Sequence, residues 1–250
     1  MTPLFDNKDF SGGLRPHGIA FHPDQQKLSF INRAAFREGK KWRLETQLVV
    51  GDTMGVSSTP QMDTTHCAAN DVTFGVENLL VSIDHSACGA SAFWEDVFSL
   101  KKSGVLAEDD EVLGGVGFAN GLVKMNGGNF AVAATRSKEI LVFDREGNKK
   151  SSLKVKGGPD NLTVRPDGKI IAALHLSLMR MGLYRKMGIG KAPSKIVRVD
   201  LKTEDIALLF SDKSGDLFAG ATVGVEVDDV LIAGSVLDQG LLVCQNKDAR

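Results

Sequence analysis

One pattern of polar and apolar positions recurs five times along the chain. A short polar or small start runs into an apolar strand: His17-Gly-Ile-Ala-Phe21, Asn70-Asp-Val-Thr-Phe74, Asn120-Gly-Leu-Val-Lys124, Asp160-Asn-Leu-Thr-Val164 and Ala221-Thr-Val-Gly-Val225. After a turn, a second apolar run follows each: Lys27–Ile31, Leu79–Ile83, Phe130–Ala134, Lys169–Leu174 and Val230–Ala233. A strand–turn–strand unit returning roughly every 40–50 residues is the sequence signature of propeller blades. Innermost strands of a propeller converge on one axis, so Asn70, Asn120, Asp160 and Asn161 are expected to meet there. Amide and carboxylate oxygens are the ligands a hard cation such as calcium takes.

Between these inner pairs lie candidate outer strands. Trp42–Val50 alternates and ends at Gly51-Asp52. Glu139–Asp144 and Ser151–Val155 flank the turn Arg145-Glu-Gly-Asn148 and read as a hairpin, as do Lys195–Asp200 and Asp205–Phe210 around Leu201-Lys-Thr203. Gly240–Gln245 reads as the last strand. Asn126-Gly-Gly128 and Pro166-Asp-Gly168 are turn signals joining inner strands. The expected class is all-β, a β-propeller of the six-bladed type with about five blades present. A single domain spans 1–250, with 1–14 a remnant of an incomplete first blade and 15–250 five blade units. Little sequence precedes His17, and Leu241–Gln245 has no following strand, so an open blade edge and self-association through it are expected.

Two segments break the period. Ser91–Lys101 reads as a short helix with Phe93, Trp94, Val97 and Phe98 on one side. Leu176–Ile189 is rich in Leu and Met and carries Arg180, Arg185 and Lys186. The favoured reading of both is a loop packing its own apolar residues on the barrel end. The sharper one is a lid, or a weak membrane contact through 91–101 and 176–189 with basic anchors.

Composition narrows the classes. The chain has 250 residues, 42% of them hydrophobic, enough for the core of one all-β domain. A net charge of −1 gives no bulk electrostatic case for nucleic acid. The start, Met1-Thr-Pro-Leu-Phe-Asp, lacks the basic and apolar regions of a secretory signal, so a cytoplasmic location is the default expectation. Cys67, Cys88 and Cys244 are an odd number without metal-type spacing and are not expected to form a disulfide framework. No Gly-x-Ser-x-Gly elbow, phosphate loop or dinucleotide fingerprint occurs.

Pro16-His17-Gly-Ile19, Asn70-Asp71-Val, Asp84-His85, Phe118-Ala-Asn120-Gly121, Asp160-Asn161-Leu and Leu241-Leu-Val-Cys244 together resemble the paraoxonase/arylesterase family, over nearly the whole chain from about Arg15. The resemblance implies a calcium-dependent propeller related to gluconolactonases, hydrolysing small lactones or aryl esters. It implies that Asn70, Asn120, Asp160 and Asn161 hold a catalytic calcium, and that Asp71 and the Ile19 carbonyl hold a structural one. It assigns His17 to water activation, with Asp160 the alternative base, and places Asp84, His85 and His175 around the substrate. The ion would polarise the carbonyl oxygen for attack by water. The family's first-blade Glu-Asp pair has no counterpart in Met1–Gly13, Arg33 stands where a partner histidine is expected, and the N-terminal cysteine that pairs with the equivalent of Cys244 is absent.

Bland readings stand beside these. Asn120-Gly121 is also a hairpin signal, but it opens an inner strand, as Asn70 and Asn161 do. Asp160-Asn161 could be a loop capping itself. His17 could be a satisfied tunnel histidine, and Asp84-His85 a strand-end turn. His22 and His66 read as surface or loop residues. A gluconolactonase-like or strictosidine-synthase-like propeller, or a non-catalytic one, are the alternative functions.

Overall fold

The alternating apolar runs form antiparallel strands throughout. The computed structural model describes residues 10–38, 41–53, 61–107 and 110–245. Close packing divides the chain into two compact units, Met1–Ala119 and Asn120–Arg250.

The first unit holds two four-stranded sheets. One is β1 (Pro16–His22), β2 (Lys27–Glu38), β3 (Lys41–Asp52) and β4 (Gln61–Thr64). The other is β5 (Ala69–Phe74), β6 (Leu79–Ile83), β7 (Ser103–Ala107) and β8 (Asp110–Val116), with helix α1 (Ala90–Val97) inserted between β6 and β7. Ile31 from the first sheet packs with Ala69, Val72 and Val81 from the second. Phe10, Phe30 and Val49 form a satellite cluster. Most of the expected first-blade remnant, residues 1–9, lies outside the described residues.

The second unit holds β9 (Ala119–Lys124), β10 (Phe130–Ala134), β11 (Glu139–Phe143) and β12 (Lys149–Lys154) in one sheet. Next come β13 (Gly158–Val164), β14 (Ile170–His175), β15 (Ser194–Val199) and β16 (Ile206–Asp212), with helix α2 (Leu178–Met187) between β14 and β15. The last sheet is β17 (Ala221–Val227), β18 (Val230–Ser235) and β19 (Leu241–Gln245). Ile140, Leu162, Ile170, Leu174 and Val197 form one fully buried layer, and Ile171, Ile196, Phe218, Leu231 and Ala233 another. Each Ile, Leu, Val or Phe among them contributes about 1.5–3 kcal/mol by leaving water.

Every sheet runs as a meander in chain order, the form of a propeller blade, and the five blades make this an all-β protein of the β-propeller class. The five inner strands fall where the recurring pattern puts them.

Side-chain hydroxyls clasp one blade to the next. Ser194 at the start of β15 accepts the Ala221 N–H at 2.8 Å. Thr163 donates to the Gly224 carbonyl at 2.7 Å. Glu226 on β17 takes Arg165 at 2.9 Å and Arg198 at 3.3 Å.

The two inserted segments are helices, and neither packs its own apolar residues away. Phe93, Trp94, Val97 and Phe98 of the α1 segment are exposed, as are Met179 and Met187 of α2, because the inward side of α1 is used by Glu95. The favoured loop reading is corrected on that point. Among the described residues, no helix is long and apolar enough to cross a membrane.

The cysteine expectation is also corrected. Cys67, two residues before β5, and Cys88, two residues before α1, form a disulfide with their Cα atoms 6.1 Å apart. Cys244 is free.

Candidate functional site

Four inner strands slip register where their polar residues stand. The shift falls between Pro16 and Ile19 in β1, Ala69 and Val72 in β5, Pro159 and Leu162 in β13, and Ala221 and Val223 in β17. His17-Gly18, Asn70-Asp71, Asp160-Asn161 and Thr222 are therefore lifted out of the ladder. Such bulges free backbone and side-chain oxygens from strand pairing and re-aim side chains.

Two glycines let the starts of neighbouring inner strands touch. A Cβ at Gly18 would collide with the Asp71 Cα and the Asn70 carbonyl. A Cβ at Gly121 would collide with the Asp160 carbonyl and the Asn161 Cα. Only glycine allows this approach of backbone to backbone. Inside each unit, neighbouring inner-strand starts approach closely: β1 meets β5, and β9 meets β13.

In the first unit, Asn70 and Asp71 are both buried. The Asn70 amide donates to Asp84 Oδ2 at 3.0 Å, which leaves its Oδ1 free of that bond. The Asp71 N–H donates to the Ser82 hydroxyl at 3.0 Å, and its Oδ1 accepts the Val72 N–H at 2.9 Å. Asp84 and His85 directly follow β6. His85 is clamped between two carboxylates, with Nδ1 at 2.6 Å from Asp84 Oδ1 and Nε2 at 2.7 Å from Asp96 Oδ1 on α1. The Asp84 bond raises the His85 pKa to about 9; burial opposes the shift and Asp96 adds to it. His85 is therefore an imidazolium at neutral pH, a poor base and a good structural pin. Ser86 reinforces it, its N–H and hydroxyl both donating to the buried Glu95 carboxylate at 3.0 and 2.6 Å. Arg33 reaches across from β2 and donates to the Ala69 carbonyl at 3.1 Å. His17 and Ile19 lie on the exposed side of β1.

In the second unit, Asn120, Asp160 and His175 are each about 93% buried, at 7% exposure. His175 Nε2 lies 2.8 Å from Asp160 Oδ2. A carboxylate only accepts, so Nε2 carries a proton, and in the neutral ring Nδ1 keeps its lone pair. That Nδ1 is buried and has no hydrogen-bond partner among the described residues. An orphaned acceptor beside a buried carboxylate is a place for a ligand or water. Asn161, half-buried, shares the bulge with Asp160. Thr135 fixes the bulge from the preceding blade by donating to the Pro159 carbonyl at 2.6 Å.

Helix α2 stands directly over this end of the blade. Its N-cap Ser177, two residues after His175, accepts the Arg180 N–H, and Gly188 closes it in the left-handed region. A Cβ at Gly158 would lie 3.3 Å from Leu178 Cδ2, so α2 rests on the entry to β13. Arg180 ties the helix to the 213–218 loop through the carbonyls of Lys213 (3.4 Å) and Ser214 (3.0 Å). Asp212 organises that loop, accepting the N–H groups of Ser214, Gly215, Leu217 and Phe218. Burial pushes the Asp212 carboxyl up, but the Phe218 and Gly215 N–H groups and the Ser214 hydroxyl prevail and hold it at about 2. No sequence signal had singled out Asp212; an acidic strand end followed by Lys-Ser-Gly is the pattern that could have done so.

His66, read from sequence as a loop residue, lies beside the disulfide. One of its ring nitrogens and the Cys67 and Cys88 sulfurs are mutually within 4.8 Å.

No protein-family model matches the chain, and no curated protein matches it in sequence. The likeness to known proteins is one of fold. A protein of unknown function from Bacteroides caccae superposes with a TM-score of 0.53 at 13% identity, over 94% of this chain and 79% of that one. Virginiamycin B lyase from Staphylococcus aureus superposes with a TM-score of 0.51 at 12% identity, over 93% of this chain and 70% of the lyase. Both likenesses support the propeller class.

Proposed function

We propose that the chain is a hydrolase of small lactones or aryl esters, of the paraoxonase/arylesterase type, working at the start of β13. The observation that carries this reading is the buried Asp160–His175 pair with its unpartnered Nδ1. Asp160 holds the imidazole in the tautomer whose Nδ1 can take a proton from water. The resulting imidazolium is stabilised by the same carboxylate and can return the proton to the leaving alcohol. This gives His175 the base role that the family resemblance assigns to His17. The buried bulge and the α2 segment over it keep bulk water away from the pair.

The donor set fits the calcium that the resemblance implies. Asn120, Asp160 and Asn161 offer hard oxygens where β9 approaches the bulge of β13. Bound there, calcium would supply Lewis acidity at an ester carbonyl. Asp71 and the Ile19 carbonyl remain the proposed holders of a structural ion.

The test is hydrolysis of phenyl acetate and of a five-membered lactone by wild type and His175→Gln. Loss of about 10²–10⁴-fold in kcat with an unchanged melting curve supports the base role. No turnover of either substrate by calcium-supplemented wild type sinks the hydrolase reading in favour of a non-catalytic propeller.

A further inference from the structure

We infer that the Cys67–Cys88 disulfide is a thiol-exchangeable latch, reversibly modified by small dithiols, which fixes α1 and the His85 loop to the start of β5. This does not depend on the hydrolase proposal.

Position gives the latch something to control. Cys67 precedes Ala68-Ala69-Asn70, and Cys88 follows His85 by three residues and leads into α1. The bridge, spanning 21 positions, encloses the whole β5–β6 hairpin together with Asp84 and His85. The other ties of this loop are non-covalent, and His85 also sets its ring edge-on to Phe118 at 5.2 Å. The Asp84 N–H donates to the Ala68 carbonyl at 3.0 Å, Asn70 donates to Asp84, His85 bridges to Asp96, and Ser86 bonds Glu95. The disulfide is the one covalent closure among the described residues of this loop.

Exposure and chemistry make it exchangeable. Both cysteines are solvent-exposed, so an external thiolate reaches them without unfolding the blade. An imidazole within 4.8 Å of both sulfurs favours a thiolate leaving group, the usual setting of a labile rather than an inert bridge. The His66 ring is itself held, its Nδ1 accepting the Ala68 N–H at 3.1 Å.

The exchange balances. A dithiol reductant supplies one thiolate, which forms a bond to one cysteine sulfur as the protein S–S bond breaks and the other cysteine leaves as thiolate. The second thiol of the reductant attacks the mixed disulfide and releases the remaining cysteine. The reductant ends as a cyclic disulfide, and the protein gains two electrons and two protons.

The experiment uses the purified full chain without denaturant. Before reduction, a maleimide should label Cys244 alone; after millimolar dithiothreitol it should add to Cys67 and Cys88 as well, as read by peptide mass. In a Trp42→Phe background, Trp94 on α1 is the sole tryptophan. Reduction should change its emission and speed amide exchange over residues 84–97, and oxidation should restore both. The Cys67→Ser/Cys88→Ser variant should show the reduced signature constitutively. His66→Gln should slow labelling of the reduced pair near neutral pH by about threefold or more. The inference is overturned if the pair resists dithiothreitol until the protein is denatured. It is equally overturned if the isolated oxidised protein already labels all three cysteines, or if reduced and oxidised forms share the same Trp94 emission and exchange pattern.

Discussion

His175 faces Asp160 at 2.8 Å, and the side of its ring turned away from that carboxylate is buried without a hydrogen-bond partner among the described residues. A structural histidine normally satisfies both nitrogens. The pair is therefore the part of the molecule where substitution should separate chemistry from folding.

Calcium should stabilise the protein if the oxygen donors bind it. An ion at a hundredfold excess over its dissociation constant adds about 2.7 kcal/mol to the folded state. For a chain of this size that raises Tm by about 5–10 °C. Asp160→Asn keeps the shape but removes the carboxylate, and the shift should largely vanish. Differential scanning calorimetry with calcium and with chelator measures both, and identical wild-type curves would rule the site out.

The His85 clamp sets a pH dependence. Its folded pKa of about 9 lies above the ordinary value of 6.5, so the protonated form is favoured by folding. The stabilisation is complete below about pH 6.5 and is lost as pH rises through about 9. Tm of wild type should fall across that window relative to His85→Gln. Parallel curves for the two proteins would show that the clamp carries no charge-dependent stability.

Asp212 has the opposite sign. Its folded pKa of about 2 lies below the ordinary 3.8, so its contribution is present above about pH 3.8 and disappears as pH falls through 2. Asp212→Asn should cost about 1–3 kcal/mol at neutral pH, since several loop N–H groups lose an ionised acceptor. Acid titration by circular dichroism should find the variant flatter than wild type below pH 4.

Gly18→Ala and Gly121→Ala should each destabilise by about 1–3 kcal/mol or more, because the added methyl meets backbone that cannot step aside. Gly114→Ala is a matched control, since its nearest neighbours are the movable end of the Glu111 side chain. Urea midpoints compare the three. Equal effects would mean that the close approach of the inner-strand starts is not a constraint.

The inner strands were legible because each combines a period-2 apolar run with a turn signal at a fixed offset. Phe130–Ala134 and Leu79–Ile83 match the strand bounds outright. β7 and β8 were not, since Gly104, Gly114 and an acidic stretch between them mask the alternation. Helix α2 was hidden because Leu, Met and Arg are spread round it rather than gathered on one face. Asn70, Asp71, Asn120, Asp160, Asn161, Asp84, His85 and His175 were each singled out in the sequence, but grouped by supposed role rather than by blade. The division of labour among them was not legible. Which histidine is pinned and which is poised depends on Asp96 and on an empty Nδ1, neither of which leaves a mark in one sequence. The Ser194 clasp was equally hidden, as serine is common and only burial distinguishes this one.

Both helices leave and re-enter their blades at residues that face each other. Ile83 pairs with Gly104 around α1, and His175 pairs with Ser194 around α2. The blades are thus complete without the segments they carry. Foreign segments of other lengths could be spliced between His175 and Ser194 while the ladder beneath stays intact. The propeller supplies a fixed chassis, and recognition of different molecules can be exchanged on it one insert at a time.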